Sequence, residues 1–123
     1  MKVIEIGIKS EKELDKDIIE AMAAARGRRH FKFRSEVYFT SLQAVRNMLT
    51  PKRLELLHKI KEKHPHSIYA LAKLLRRSFP VVLRDVELLK KHGLIKLSKP
   101  SYARRSSIQP SVNYDAIQFS IAI

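Results

Sequence analysis

The first residues of the chain alternate between apolar and polar positions. Ile4, Ile6 and Ile8 fall on one face of an extended segment, and glycine or charged residues fall on the other. This period of two is typical of a half-buried β-strand, which we predict over residues 2–9. After it the apolar period changes to three or four, and a serine and a glutamate spaced as a capping box predict a helix over 11–26.

A strongly basic segment follows at residues 26–34, with the sequence RGRRHFKFR and no acidic residue. It is compatible with a flexible arm that binds a nucleic-acid backbone and stacks aromatic rings on bases. It is also compatible with a strand or linker whose phenylalanines pack inward while the charges are solvated. The pattern alone does not choose between the two.

Two capped helices are predicted next. Thr40 and Gln43 have the spacing of a capping box at the start of a short helix. Thr50 followed by Pro51 favours the start of a second helix over 51–63, because threonine caps well and proline suits the first helical position. Its apolar face is predicted to bury Leu54, Leu57 and Ile60, and its basic face to expose Lys52, Arg53, Lys59 and Lys63.

The next two helices have the spacing of a helix-turn-helix. Ser67 is a suitable cap for a helix whose inner positions are Ile68, Leu71, Ala72 and Leu75. A turn at 76–78 leads to a second helix over 79–92, which Gly93 ends. Taking Val82 as the centre of its buried face places three further residues on the core side: Phe79, Val86 and Leu89.

Alternating segments complete the chain. Residues 94–97 and 108–114 are predicted to form a hairpin around a basic loop. The final segment alternates Ile117, Phe119, Ile121 and Ile123 with small or polar residues and has no Lys or Arg to guard an edge, so we expect it to pair with the first strand or with a second subunit. The order predicts an α+β fold: a winged helix-turn-helix with an N-terminal strand-helix extension and a C-terminal strand.

Charge narrows the class of partner. The 123 residues include 25 Lys and Arg against 12 Asp and Glu, a net charge of +13. Residues 1–20 are slightly acidic, so the basic character belongs to the remainder, and a polyanion such as nucleic acid is the expected partner. No apolar stretch is long enough for a membrane span or a signal peptide, so we expect a cytoplasmic protein that does not contact a membrane.

Catalytic chemistry is not expected. The chain has no cysteine, which excludes disulfides, thiolate catalysis and Cys-based zinc sites. It also lacks a glycine-rich phosphate loop, a nucleophile motif and a carboxylate cluster. We therefore predict that the protein is not an enzyme and needs no metal or cofactor.

Four runs of sequence together resemble the MarR-like winged-helix regulators: VYFTSLQAVRNMLTPKRLELLHKIK, SIYALAKLL, RDVELLKKHGLIKL and VNYDAIQFSIAI. The likeness is to small predicted transcriptional regulators of archaea and bacteria. It implies sequence-specific binding to double-stranded DNA, usually as a repressor or autoregulator of nearby genes, and some such regulators act as antitoxins. The apolar residues 79–81 and a wing without glycine depart from the family pattern, which bears on the target sequence and leaves the binding mode unchanged.

Arg84 is the residue predicted to recognise a base, since a guanidinium can bond the O6 and N7 atoms of guanine together. The alternative is an exposed ion pair with Glu87. Val81 and Leu83 flank the same outward face and are suited to thymine methyl groups, or to packing against the wing or a second subunit. The full predicted DNA-binding set is Arg76, Arg77, Ser78, Pro80, Val81, Leu83, Arg84, Glu87, Tyr102, Arg104 and Arg105.

The members of this set have two expected roles. Arg76, Arg77 and Ser78, in the turn, suit phosphate contacts that position the protein without specifying a sequence. Tyr102, Arg104 and Arg105, in the wing, suit the backbone or a narrow minor groove, or else a solvated loop.

The predicted assembly is a homodimer on double-stranded DNA. Residues 1–35 are predicted to form a dimerisation or partner surface and residues 36–123 the DNA-binding domain with its C-terminal strand. Two alternatives remain open from the sequence: an antitoxin that neutralises a toxin or other protein partner, and a small basic RNA-binding protein.

Overall fold

The computed structural model describes residues 1–9, 37–99 and 108–121. The helix predicted over 11–26, the basic segment 26–34 and the wing residues Tyr102, Arg104 and Arg105 lie outside these ranges. So does the predicted domain boundary between residues 35 and 36, and the partner surface assigned to residues 1–35 stays a prediction.

The chain forms two compact units, Met1–Arg46 with Tyr114–Ile123 and Asn47–Asn113. In chain order the described elements are β1 (Val3–Ile8), β2 (Val37–Phe39), α1 (Leu42–Met48), α2 (Pro51–Lys63), α3 (Ile68–Leu75), α4 (Phe79–Lys91), β3 (Lys96–Ser98), β4 (Gln109–Ser111) and β5 (Ala116–Ile121).

The first unit contains a three-stranded sheet in the order β2-β1-β5, with both neighbours parallel to β1. The C-terminal strand therefore pairs with the first strand, one of the two partners expected from its sequence. Two bonds at the start of the pair hold the register: the Lys2 N–H donates to Asp115 Oδ2 at 2.9 Å, and the Asp115 N–H donates to the Lys2 carbonyl at 2.6 Å.

Strand β1 lies at the centre of this sheet. Ile4, Ile6 and Ile8 are buried, as their alternation predicts. Gly7, on the opposite face, is buried as well. The strand is thus covered on both faces near its end rather than half-buried throughout, which is typical of a central parallel strand.

The starts of α1, α2 and α3 are set by short hydroxyl side chains. Thr50 Oγ1 accepts from the Arg53 N–H at 3.3 Å and Ser67 Oγ from the Ala70 N–H at 3.0 Å, and both of these caps are the predicted ones. The cap of α1 was predicted one residue too early. Ser41 Oγ, and not the Thr40 hydroxyl, accepts from the Ala44 N–H, at 3.1 Å.

The second unit is a winged helix-turn-helix. Its core joins the inner faces of α2, α3 and α4: Leu56, Leu57, Ile60, Ile68, Leu71, Ala72, Val82, Val86 and Leu89. Gly93, with φ of 79°, ends the helical region, and the antiparallel pair β3-β4 forms the base of the wing. Leu94 and Ile95 are buried just before β3, which begins two residues later than predicted. This arrangement confirms the predicted α+β class and the winged helix-turn-helix.

The buried face of α2 differs from the prediction. Leu54 is 45% exposed, whereas Leu56 is fully buried. At about 100° per residue the buried arc is centred near Ile60, and Leu54 lies about 120° away from that centre. Arg53 lies only about 20° from that centre, so its side chain points inward. The prediction that Arg53 is exposed to solvent was therefore wrong.

No helix among the described residues is both long enough and apolar enough to cross a membrane.

The two serine N-caps of the helix-turn-helix make a matched pair for a stability test. The Ser67 side chain caps α3, whereas Ser78, at the start of α4, makes no side-chain cap bond. Ser67→Ala should lower the free energy of unfolding by about 1 kcal/mol, because it removes the acceptor for a helix N–H. Ser78→Ala should change it by less than about 0.5 kcal/mol. Urea denaturation followed by circular dichroism measures both, and equal losses would contradict the capping difference.

Candidate nucleic-acid interface

The turn between α3 and α4 is fixed by backbone hydrogen bonds. Arg76 takes the left-handed conformation, with φ of 54°. Its N–H donates to the Lys73 carbonyl and the Arg77 N–H donates to the Ala72 carbonyl, at 3.2 and 3.1 Å. These are the two bonds of a Schellman motif, which ends α3 and turns the chain sharply into α4. The turn leaves the Arg76 side chain exposed.

The start of α4 presents backbone donors to its surroundings. The Val82 N–H already donates to the Ser78 carbonyl at 3.1 Å, and Pro80 has no N–H. The N–H groups of Phe79 and Val81 belong to the first turn and have no acceptor within the helix. Together with the positive end of the helix dipole, they favour an anion at this position.

The outward face of α4 carries most of the side chains predicted to face DNA. Pro80, Val81, Arg84 and Glu87 are exposed, and Leu83 is half-buried. Among the described residues no ion pair joins Arg84 to Glu87, so the alternative role proposed for Arg84 from the sequence is not realised here. The guanidinium of Arg84 stays open to solvent, one turn after the start of the helix.

An aromatic pair borders this face and corrects the prediction for Phe79. That side chain is 39% exposed and not part of the core. Its ring packs at 6.2 Å, centroid to centroid, against Tyr69 of α3. The Lys73 ammonium lies 4.7 Å from the centroid of the Tyr69 ring. Phe79 is the first residue of α4, so it projects past the end of the core onto α3.

Tyr69 and Lys73 were not among the predicted residues. The sequence contained a signal for them, since residues four apart share a helix face and both fall away from the buried Leu71 and Ala72. They place an aromatic ring and a cation next to the start of α4.

Below this surface lies a cluster of one acid and two bases, Asp85, Arg53 and Arg77. Asp85, at 8% exposure, is the buried charged residue of the described core. Arg53 Nε donates to its Oδ1 at 3.2 Å, and Arg77 Nη2 donates to its Oδ2 at 2.7 Å. Arg53 Nη1 also donates to the carbonyls of Asn47 and Met48, at 2.7 and 3.0 Å. The carboxylate therefore joins α2, the turn and α4.

This cluster changes the assignment of Arg77. The sequence prediction placed Arg77 beside Arg76 as a phosphate contact, but its side chain is 18% exposed and is directed to Asp85. Its Nη1 atom is buried without a hydrogen-bond partner in the described structure. With two guanidinium groups on one carboxylate, the cluster keeps one excess positive charge beneath the turn.

The burial of Asp85 also had a signal in the sequence. Asp85 lies about 60° from Val82 around α4, as close to the buried centre as Phe79 on the other side. An acid at a core-side position requires a buried cation, and Arg53 occupies the matching position on α2. The Asp85–Arg53 pair can be recognised in the sequence only if the buried faces of α2 and α4 are compared.

His92 follows α4 and contributes little charge at neutral pH. Desolvation by burial, and secondly the charge of Lys91, lower its pKa below the ordinary value of 6.5. The described part of the chain contains no group of His, Asp and Glu side chains that could hold a metal ion. The positive field of this unit therefore comes from its lysines and arginines.

A sequence profile of the HVO_A0114 family matches residues 48–119, more than half of the chain. The crystal structure of ZitR from Lactococcus lactis, described as a zinc-responsive MarR family member, is similar with a TM-score of 0.46 and 17% sequence identity. That match covers 83% of this chain and 65% of ZitR, which is less than two thirds of its length. No curated protein matches the sequence.

Substitution of Asp85 should lower the stability of the protein because it disrupts this cluster. Asp85→Asn leaves two partly buried guanidinium groups without their counter-ion, so the free energy of unfolding should fall by about 2 kcal/mol or more. Glu87→Gln is the matched control, because it removes the same charge from an exposed position on the same helix, and it should change stability by less than about 0.5 kcal/mol. Urea denaturation of both variants measures the difference, and similar losses would show that the cluster is not structural.

Proposed function

The chain belongs to the HVO_A0114 family, and we propose that it binds double-stranded DNA in a sequence-specific way and regulates transcription. The observation that carries the proposal is the first half of α4. This helix start combines backbone donors that have no acceptor within the helix, an exposed arginine and a narrow apolar rim, on a helix whose buried Asp85 is paired with two arginines.

In the proposed complex the start of α4 enters the major groove. Arg84 donates to the O6 and N7 atoms of a guanine, a contact worth about 1–3 kcal/mol of discrimination between bases. The exposed Pro80 and Val81 and the half-buried Leu83 would contact thymine methyl groups beside it. Recognition thus depends on one strong polar contact with apolar selection beside it.

Phosphate contacts come from the turn and from α3. Arg76 and Ser78 are exposed at the start of α4, and its backbone donors face the same way. Lys73 and Tyr69 extend this surface along α3. Arg77 acts here through Asp85 as a positioning residue, while Glu87 borders the reading face and disfavours a phosphate at that point. Tyr102, Arg104 and Arg105 remain the proposed wing contacts.

We infer a MarR-like regulator on the resemblance of its sequence, acting as a cytoplasmic repressor or autoregulator that occupies promoter DNA as a homodimer. Two copies related by a two-fold axis would read an inverted repeat. An inverted repeat in the intergenic DNA upstream of its own gene is the first sequence to test for binding.

The salt dependence of binding tests the mode of interaction. If about six phosphates are neutralised in each complex, log K should fall with log salt concentration at a slope near −5. Fluorescence anisotropy with labelled operator DNA between about 50 and 300 mM salt measures it. A flat dependence would contradict a phosphate-based interface, and equal affinity for structured RNA would favour the RNA-binding alternative.

Replacement of Arg84 tests the base contact. Arg84→Ala should lower, by about 10-fold, the ratio of the affinities for the operator and for a duplex in which the contacted guanine is replaced, because the base contact is lost only from the operator complex. Lys90→Ala removes the same charge from an exposed position six residues further along α4, and should weaken both DNAs alike. Competition binding with the two duplexes measures the ratio. An unchanged ratio for Arg84→Ala would show that another residue recognises the base.

A further inference from the structure

We propose that the outer edge of β5 is the surface through which two copies of this chain associate, with β5 pairing antiparallel to β5 of a second copy across a two-fold axis. This names the interface of the homodimer proposed above. It rests on the sheet alone and does not depend on DNA binding.

The apolar face of the sheet continues from the buried residues of β1 onto exposed residues of β5. Parallel register places Ile4 beside Ile117, Ile6 beside Phe119 and Ile8 beside Ile121, so all six side chains lie on one face. The three on β1 are at most 7% exposed, whereas Phe119 is 46% and Ile121 is 55% exposed. Ile117, near the start of β5, is half-buried, so the burial of this face decreases along β5 and leaves Phe119 and Ile121 exposed.

The hydrogen-bonding edge of β5 is also open. β5 is the last strand in the order β2-β1-β5, and its far side meets no strand among the described residues. An edge strand of six residues has unpaired N–H and C=O groups that accept another strand unless charges, proline or a bulge prevent it. Ala116–Ile121 contains no charged residue and no proline.

The sequence of β5 favours a second copy of the chain as the strand that pairs with this edge. The segment Ile117-Gln118-Phe119-Ser120-Ile121 has a symmetric pattern about Phe119. Antiparallel pairing centred there places Phe119 opposite Phe119, Ile117 opposite Ile121, and Gln118 opposite Ser120. Each pair is apolar with apolar or polar with polar, which is the self-complementarity that an isologous interface requires.

Net charge supports the same choice. Two copies of a chain with net charge +13 repel one another, so association requires a surface where no like charges meet. β5 provides one. An axis perpendicular to the sheet keeps the apolar face of both copies on the same side, and it doubles the three-stranded sheet into one continuous sheet.

Sedimentation velocity on the full chain without DNA tests the interface. The wild-type protein should be a dimer at about 50 µM, and Phe119→Lys should weaken the dimer on the order of 100-fold, since two central rings are lost and two cations meet at the axis. Phe119→Glu should weaken it similarly. Leu54→Lys is the control, because it makes the same change at an equally exposed apolar residue of α2, and should leave the dimer intact.

An equimolar mixture of the Phe119→Lys and Phe119→Glu proteins tests the register. Opposite charges then meet at the axis, so a mixed dimer should form where neither variant dimerises alone. A wild-type monomer at about 50 µM, an unchanged dimer in Phe119→Lys, or no recovery on mixing would each overturn the proposal. DNA binding separates this result from the proposed function: a dimer that does not bind DNA refutes the function alone, and a wild-type monomer that binds it refutes the interface alone.

Discussion

The position of α4 depends on one buried carboxylate held between two guanidinium groups. Asp85 receives Arg53 from α2 and Arg77 from the turn before α4, at 3.2 and 2.7 Å. Apolar packing alone would allow α4 to rotate or slide by a fraction of a turn, because hydrophobic contacts are not directional. Removal of Asp85 would leave two guanidinium groups without a counter-ion, so the cluster favours one orientation of α4 and with it one outward face.

The same residue type therefore has two roles in this unit. Arg53 and Arg77 point inward and hold the helices, while Arg76 and Arg84 are exposed and open to a polyanion. What separates neighbours such as Arg76 and Arg77 is the left-handed conformation of Arg76, which ends α3 and turns the chain between the two residues. A high count of basic residues accordingly overstates the surface that can contact phosphates, because Arg53 and Arg77 orient the helices instead.

The proposed DNA-binding surface at the start of α4 and the proposed dimer surface at the edge of β5 have different chemistry, which matches their different partners. The start of α4 combines cations, helix donors and a few apolar atoms, which suits a polyanion with methyl groups in its groove. The edge of β5 has apolar and neutral polar side chains and no charge, which suits a second copy of a highly basic chain. Each belongs to a different compact unit.

The sequence by itself determined the features that depend on neighbouring residues: the caps at Thr50 and Ser67, the turn before α4, the end at Gly93 and the inner face Val82, Val86 and Leu89. Local hydrogen bonds and helical period fix these. Tertiary structure decided that Arg53 and Arg77 turn inward, that Leu56 replaces Leu54 in the core, that Phe79 packs on Tyr69 and that β5 joins β1. These outcomes depend on which faces meet across the fold, and a buried charge or a strand edge finds its partner only among residues far away in the chain.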